Sequence, residues 1–228
     1  MKIGLNGSKA RVVGNNRNGK RLLAVALKTA GWMLAAIPAA MLAGCGAARP
    51  MQYYQLSVPN DVAQAEPNAA GISLALGPMT SSHLYREDRI VYSSGGEQMG
   101  TYEYQRWTEP PAEMISEVLL RELRASGRYR EVYSRRSSTR SDYVLRGQLY
   151  DFKEVPGSPL VARVTAEWEL YDAKTGSTVW SHHYSKDEPV SGKDVPAMVA
   201  ALDKNVQRAV GEVKAGLDQY FASVPAAK

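Results

Sequence analysis

A cysteine does its chemistry as a thiolate, and this chain of 228 residues has one cysteine, Cys45, closing the run Leu42-Ala43-Gly44-Cys45. Directly before that run lies a short apolar core, Ala30 to Met41, with Lys20, Arg21 and Lys28 on its N-terminal side. The pattern is that of an export signal ending in small residues, a lipobox. The thiol is then the site of alkylation by a diacylglycerol group, and cleavage before Cys45 frees an amine for a further acyl chain. Each buried methylene contributes about 0.8 kcal/mol, so two or three chains of the palmitate type hold a protein to a membrane permanently. The apolar stretch is too short to span a bilayer, which needs about 20 residues, and Pro38 interrupts it. Met1 to Asn18 makes an unusually long n-region.

Other residues capable of chemistry do not form a constellation. His182 and His183 are adjacent in a segment that reads as a strand, so they project to opposite faces and cannot readily share a metal. His83 stands among Ser and Leu without a ligand-spaced neighbour. Glu167 and Glu169 share one strand face, as paired carboxylates would, but alternation on a wet sheet face accounts for them. There is no Gly-x-Ser-x-Gly elbow, phosphate loop or His-Glu-x-x-His pattern. The expectation is a protein that is not an enzyme and uses no metal or cofactor.

Charge excludes a further class. The net charge is +5, from 28 Lys and Arg against 23 Asp and Glu. Residues 1–44 hold seven of the basic residues and no acid, so a chain starting at Cys45 has 184 residues, 21 basic and 23 acidic, and a net charge of −2. No basic stripe interleaved with aromatics remains for a nucleic acid. Arg135, Arg136 and Arg140 make a basic cluster in a Ser-rich stretch that reads as a solvated loop. A lone cysteine allows no internal disulfide, so packing must hold the fold. A chain of this length can bury a core as one domain.

The segments that must do so alternate between two periods. Residues 45–52 form a tether that reaches at most roughly 25 Å when extended. Tyr53 to Val58 reads as a first strand, Pro59 to Ala70 as a loop, and Ile72, Leu74 and Leu76 as one face of a second strand. Arg89 to Ser93 and Thr101 to Gln105 flank Gly95-Gly96 as a hairpin with a loop longer than two residues. Thr108 is placed to cap a helix whose first turn carries the prolines and whose buried stripe is Ile115, Val118, Leu119 and Leu123, with Gly127 ending it. Tyr143 to Phe152, Leu160 to Tyr171 and Ser177 to Ser185 read as an antiparallel meander. In its middle strand Ala162, Val164, Ala166, Trp168 and Leu170 point one way. Asp194 is placed to cap a last helix with Val199, Leu202, Val206, Val210, Val213, Leu217 and Tyr220 on one face and Lys204, Arg208 and Glu212 on the other. The expected fold is α/β in the α+β sense, a single domain over 53–222 in which a mainly antiparallel sheet packs on two amphipathic helices, with a tail at 223–228.

Asp88-Arg89-Ile90-Val91-Tyr92, Tyr102 to Tyr104 and Arg106-Trp107-Thr108-Glu109-Pro110 precede an amphipathic helix. Ser141-Asp142-Tyr143-Val144-Leu145, Phe152 and Thr175-Gly176 follow. In this order they resemble the ABC-type transport auxiliary lipoprotein family, that of the paraquat-inducible protein C. The resemblance runs from about Tyr53 to Phe221. Met99 and Gly100 stand where members often carry Leu, and Tyr184 where they carry Phe.

The resemblance implies a non-catalytic docking or structural subunit of a lipid transport system, with an inner-membrane ABC permease and periplasm-spanning MCE-domain proteins as partners and homo-oligomeric assembly as an option. Gly46, rather than Asp, after the cysteine favours the inner leaflet of the outer membrane under the enterobacterial sorting rule, with the domain facing the periplasm. Tyr92, Tyr102, Tyr104, Arg106 and Trp107 are the candidate partner-binding residues, because aromatics and Arg concentrate at interface centres. The alternative, in which Trp107 and the tyrosines fill the core beneath the hairpin, stays open. Two other functions stay open as well: regulation of a peptidoglycan synthase, against which the short tether argues, and direct lipid carriage, which requires an apolar cavity.

Overall fold

The spine of the fold is the strand with the longest ladder, β6 (Tyr143–Val155). The computed structural model describes residues 49–58, 70–134 and 139–223; Leu42, Ala43, Gly44 and Cys45 lie outside them, as do Arg135 and Arg136. One edge of β6 pairs antiparallel along its length with β7 (Val161–Asp172), which pairs antiparallel with β8 (Thr178–Pro189). The other edge is shared. Its first half pairs parallel with β2 (Ala70–Ser81), itself parallel to β5 (Tyr129–Tyr133). Its second half pairs parallel with β3 (Arg89–Gly95), which forms a hairpin with β4 (Gln98–Trp107), and β1 (Gln52–Tyr54) lies parallel to the end of β4.

This is a mixed eight-stranded sheet with two helices, a single α+β domain. Antiparallel ladders are the longer ones, and the meander β6-β7-β8 is as the sequence predicts. On β7, Ala162, Val164, Ala166, Trp168 and Leu170 are all buried. Helix α1 (Pro111–Ala125) packs on β2 and β5, and helix α2 (Val195–Ser223) on β7 and β8. The stripe Ile115, Val118, Leu119 and Leu123 of α1 is buried, and Gly127, at φ +62°, ends that helix in the left-handed conformation that glycine adopts without a Cβ clash. Asp194 caps α2 by accepting the Ala197 N–H at 3.0 Å.

Several local expectations are corrected. The first strand stops at Tyr54, because the chain then leaves the sheet to cross α2. There the Ser57 N–H donates to Asp203 at 2.9 Å, and Gln207 Nε2 donates to the Ser57 carbonyl at 2.9 Å. The hairpin loop is the two-residue minimum, since Gly95 pairs with Gln98 across Gly96-Glu97. Thr108 does not cap α1; Pro110 takes that position without a side-chain bond, and its carbonyl accepts the Glu113 N–H at 2.9 Å. The sequence reading passes over β5 and the parallel joins. Lys204 and Arg208 do line the solvated side of α2, and from there both bind Glu188, a carboxylate 6 % exposed on β8.

The Ser-Asp-Tyr motif acquires a physical role. The Asp142 carboxylate accepts both the backbone N–H and the hydroxyl of Ser73 at 2.8 Å, fastening the start of β6 to β2. The Ser73 backbone N–H, then its hydroxyl, holds the Asp142 carboxyl below the usual carboxylate range.

Candidate docking surface

The β3–β4 hairpin is shaped by its glycines. Gly95 and Gly96 sit at φ +104° and +58°, which L side chains rarely adopt, so the tight turn is available to them. Tyr92 pairs with Gly100 across the hairpin, and its ring lies over that residue: a Cβ at Gly100 would stand 2.6 Å from the Tyr92 ring. Tyr92 also meets Tyr102 edge to face, with ring centroids 5.1 Å apart. The Tyr102 hydroxyl donates to Glu154 on β6 at 2.9 Å. Burial first, and that carboxylate second, push the Tyr102 hydroxyl well above the ordinary tyrosine range, so it stays a donor.

At the other end of β4, Arg106 pairs with Tyr53 of β1 and Arg89 of β3, and its guanidinium meets Asp88 at 3.4 Å. The same Asp88 accepts the Trp107 N–H through its carbonyl at 2.7 Å. Between these ends the β3–β4 register jumps: Val91 faces Thr101, but Arg89 faces Arg106. Tyr104 lies on β4 between these two registers.

The structure therefore separates the five candidate residues. Tyr92, Tyr102, Tyr104 and Arg106 are half-buried on the hairpin. Trp107 is 1 % exposed, its ring 5.3 Å from Phe152 in the core, and it presents no surface to a partner. Two exposed apolar side chains were passed over, Tyr53 at 62 % and Met99 at 39 %. Tyr53 carried a signal, an aromatic residue on the strand that follows the tether. Cys45 lies outside the described residues.

The remaining candidates for chemistry are spread apart. Among the described residues, no group of three His, Cys, Asp or Glu stands close enough to hold a metal ion. His182 turns toward α2, stacked on Trp180 and 3.4 Å from Glu212, while His183 is exposed. Glu167 and Glu169 each accept a tyrosine hydroxyl, from Tyr150 at 3.0 Å and from Tyr171. Arg146 lies over the Tyr171 ring at 4.7 Å. These carboxylates are tied into a paired polar face. No helix among the described residues is long and apolar enough to cross a membrane.

The model of the ABC-type transport auxiliary lipoprotein component matches residues 54–214, which is β1 through most of α2. The chain belongs to that family. It is thus an auxiliary lipoprotein component of ABC-type transport and a protein of the cell envelope. A crystal structure of a Xanthomonas campestris protein of the DUF330 family superposes with a TM-score of 0.66 at 19 % identity, covering 75 % of this chain and 96 % of that one. A crystal structure of an uncharacterized protein gives 0.59 at 14 % identity, covering 74 % and 99 %. At such identities these two share the fold alone. No curated protein sequence matches the chain.

Proposed function

We propose that this family member is anchored to the inner leaflet of the outer membrane through acylated Cys45 and serves as the non-catalytic docking subunit of an ABC and MCE-type lipid transport route. The observation that carries the reading is the family match over most of the folded domain, residues 54–214, joined to a lipobox seven residues before β1. The short tether keeps the domain near the membrane, where a periplasm-spanning partner would have to end. The hairpin supplies the contact in this reading: Tyr92, Tyr102, Tyr104 and Arg106, flanked by exposed Tyr53, form a surface of aromatic and Arg character suited to the centre of an interface.

The test is affinity capture of the tagged, lipidated protein from detergent-solubilised envelopes, with co-purifying proteins identified by mass spectrometry. An MCE-domain protein or its ABC permease is expected. A peptidoglycan synthase, or nothing above background, would overturn the reading. Cys45→Ala is expected to release the domain into the periplasm with loss of function, and a fully active unanchored protein would remove the anchored-docking part of it.

A further inference from the structure

β5 ends at Tyr133, so beyond Ala75 the corresponding edge of β2 has no strand partner among the described residues. There the register of β2 against β6 also slips, between Leu76 and Met79. Bulges of this kind bend a strand and open space beside it. The first half of α1 lies on one side of that space and Gln55 to Val58 wall it, leaving a groove of about 730 Å³. Its size is that of a small-molecule site.

The lining decides what such a site takes. Leu56, Val58, Leu76, Met79, Met114 and Leu120 supply its apolar surface, with no aromatic side chain among the described lining residues to stack on a ring. Ser116 gives its hydroxyl to the Ala112 carbonyl at 2.7 Å, so it is not free to orient a polar ligand. Unbranched methionines adapt to a flexible chain better than to a rigid shape. Among the described residues, the charged ones of the lining are all acidic: Glu109, Glu113 and Glu117. Glu117 is neutralised by Arg121 at 2.7 Å, whereas among the described residues Glu109 and Glu113 make no ion pair. A helix N-terminus offsets about half a charge, which leaves the described α1 side of the mouth negative. That potential attracts a cation and repels an anion.

We propose that this groove binds one unbranched alkyl chain carrying a cationic amine head, with the chain between α1 and β2 and the amine at Glu109 and Glu113. The site is separate from the hairpin, and docking through the hairpin does not depend on it.

The test uses the mature chain with Cys45→Ala, purified without detergent, and two probes with the same chain and opposite heads, hexadecylamine and palmitate. Both are kept below their aggregation concentrations and followed by calorimetry and native mass spectrometry. Hexadecylamine is expected to bind one to one, at least tenfold tighter than palmitate. The surface variant Glu109→Gln/Glu113→Gln is expected to fold normally and to remove that preference while keeping the chain bound. Absence of one-to-one hexadecylamine binding, or equal binding of palmitate by the unaltered groove, overturns the proposal. So does a photoreactive residue at Met79 that cross-links to this chain or to a second copy in place of the added amine.

Discussion

The hydroxyl of Tyr184 on β8 donates to the side-chain oxygen of Asn205 on α2, and both residues are buried. The Asn205 amide in turn donates to the carbonyls of Ala162 at 2.9 Å and Lys186 at 2.8 Å. One side chain thus ties the long helix to two strands and gives the Tyr184 hydroxyl, which a Phe here would lack, its partner. Tyr184→Phe removes one bond and leaves the Asn205 donors paired, so it should cost about 1 kcal/mol. Asn205→Ala removes the donors to two buried carbonyls and leaves the Tyr184 hydroxyl only the backbone carbonyl of residue 205, 3.1 Å away, and should cost about 2–3 kcal/mol, read as a lower urea midpoint.

Trp107 and Arg106 are neighbours in sequence and should separate fold from docking. Trp107→Ala opens the core beside Phe152 and should cost about 3–5 kcal/mol. Arg106→Ala loses a half-exposed ion pair and should cost less than about 1 kcal/mol. In the capture experiment Arg106→Ala should still lower partner recovery. Unchanged recovery would remove Arg106 from the interface.

Gly100 is required by the Tyr92 ring rather than by its own backbone. Gly100→Ala should destabilise by about 1–3 kcal/mol through forced displacement of that ring. Adding Tyr92→Ala should erase most of the penalty in a double-mutant cycle, and additive effects would show that the contact is not the cause.

Acid should weaken the fold in a defined window. Lys204 first, then Arg208, hold the Glu188 carboxyl below its ordinary range; the Ser73 backbone does this for Asp142, and Arg163 for Asp187. A carboxylate lowered on folding contributes stability above its unfolded value, and that contribution is lost as pH falls through the folded value. The urea midpoint should therefore be flat from pH 7 to about 5 and fall below about 4. Glu188→Gln should lower the midpoint at pH 7 and flatten the fall, and an unchanged acid slope would remove Glu188 as a contributor.

What could be read from the chain follows from how local each signal is. The alternation Ala162 to Leu170 and the stripe Ile115 to Leu123 record burial on one face, and both are realised. Pairing partners are not local: nothing in Tyr129 to Tyr133 states that it lies parallel to β2, and five residues with Arg130 and Glu131 exposed carry little periodicity. Asn205 and Glu188 were opaque for a related reason, since a buried polar residue is accounted for only by groups brought to it from other elements. Tyr92, Tyr102 and Arg106 were legible as residue types suited to an interface. That Trp107 turns inward depends on Phe152, 45 positions along the chain.

The placement of β1 has a mechanical consequence. The described chain enters the sheet through three strand residues, Gln52 to Tyr54, lying alongside β4. Tension transmitted along the chain from its N-terminal side would load those three rungs together, in shear, rather than unzip them one by one. Behind them, the clasp of Ser57 on Asp203 and Gln207 is a second hold, which would have to slip before strain reached the sheet.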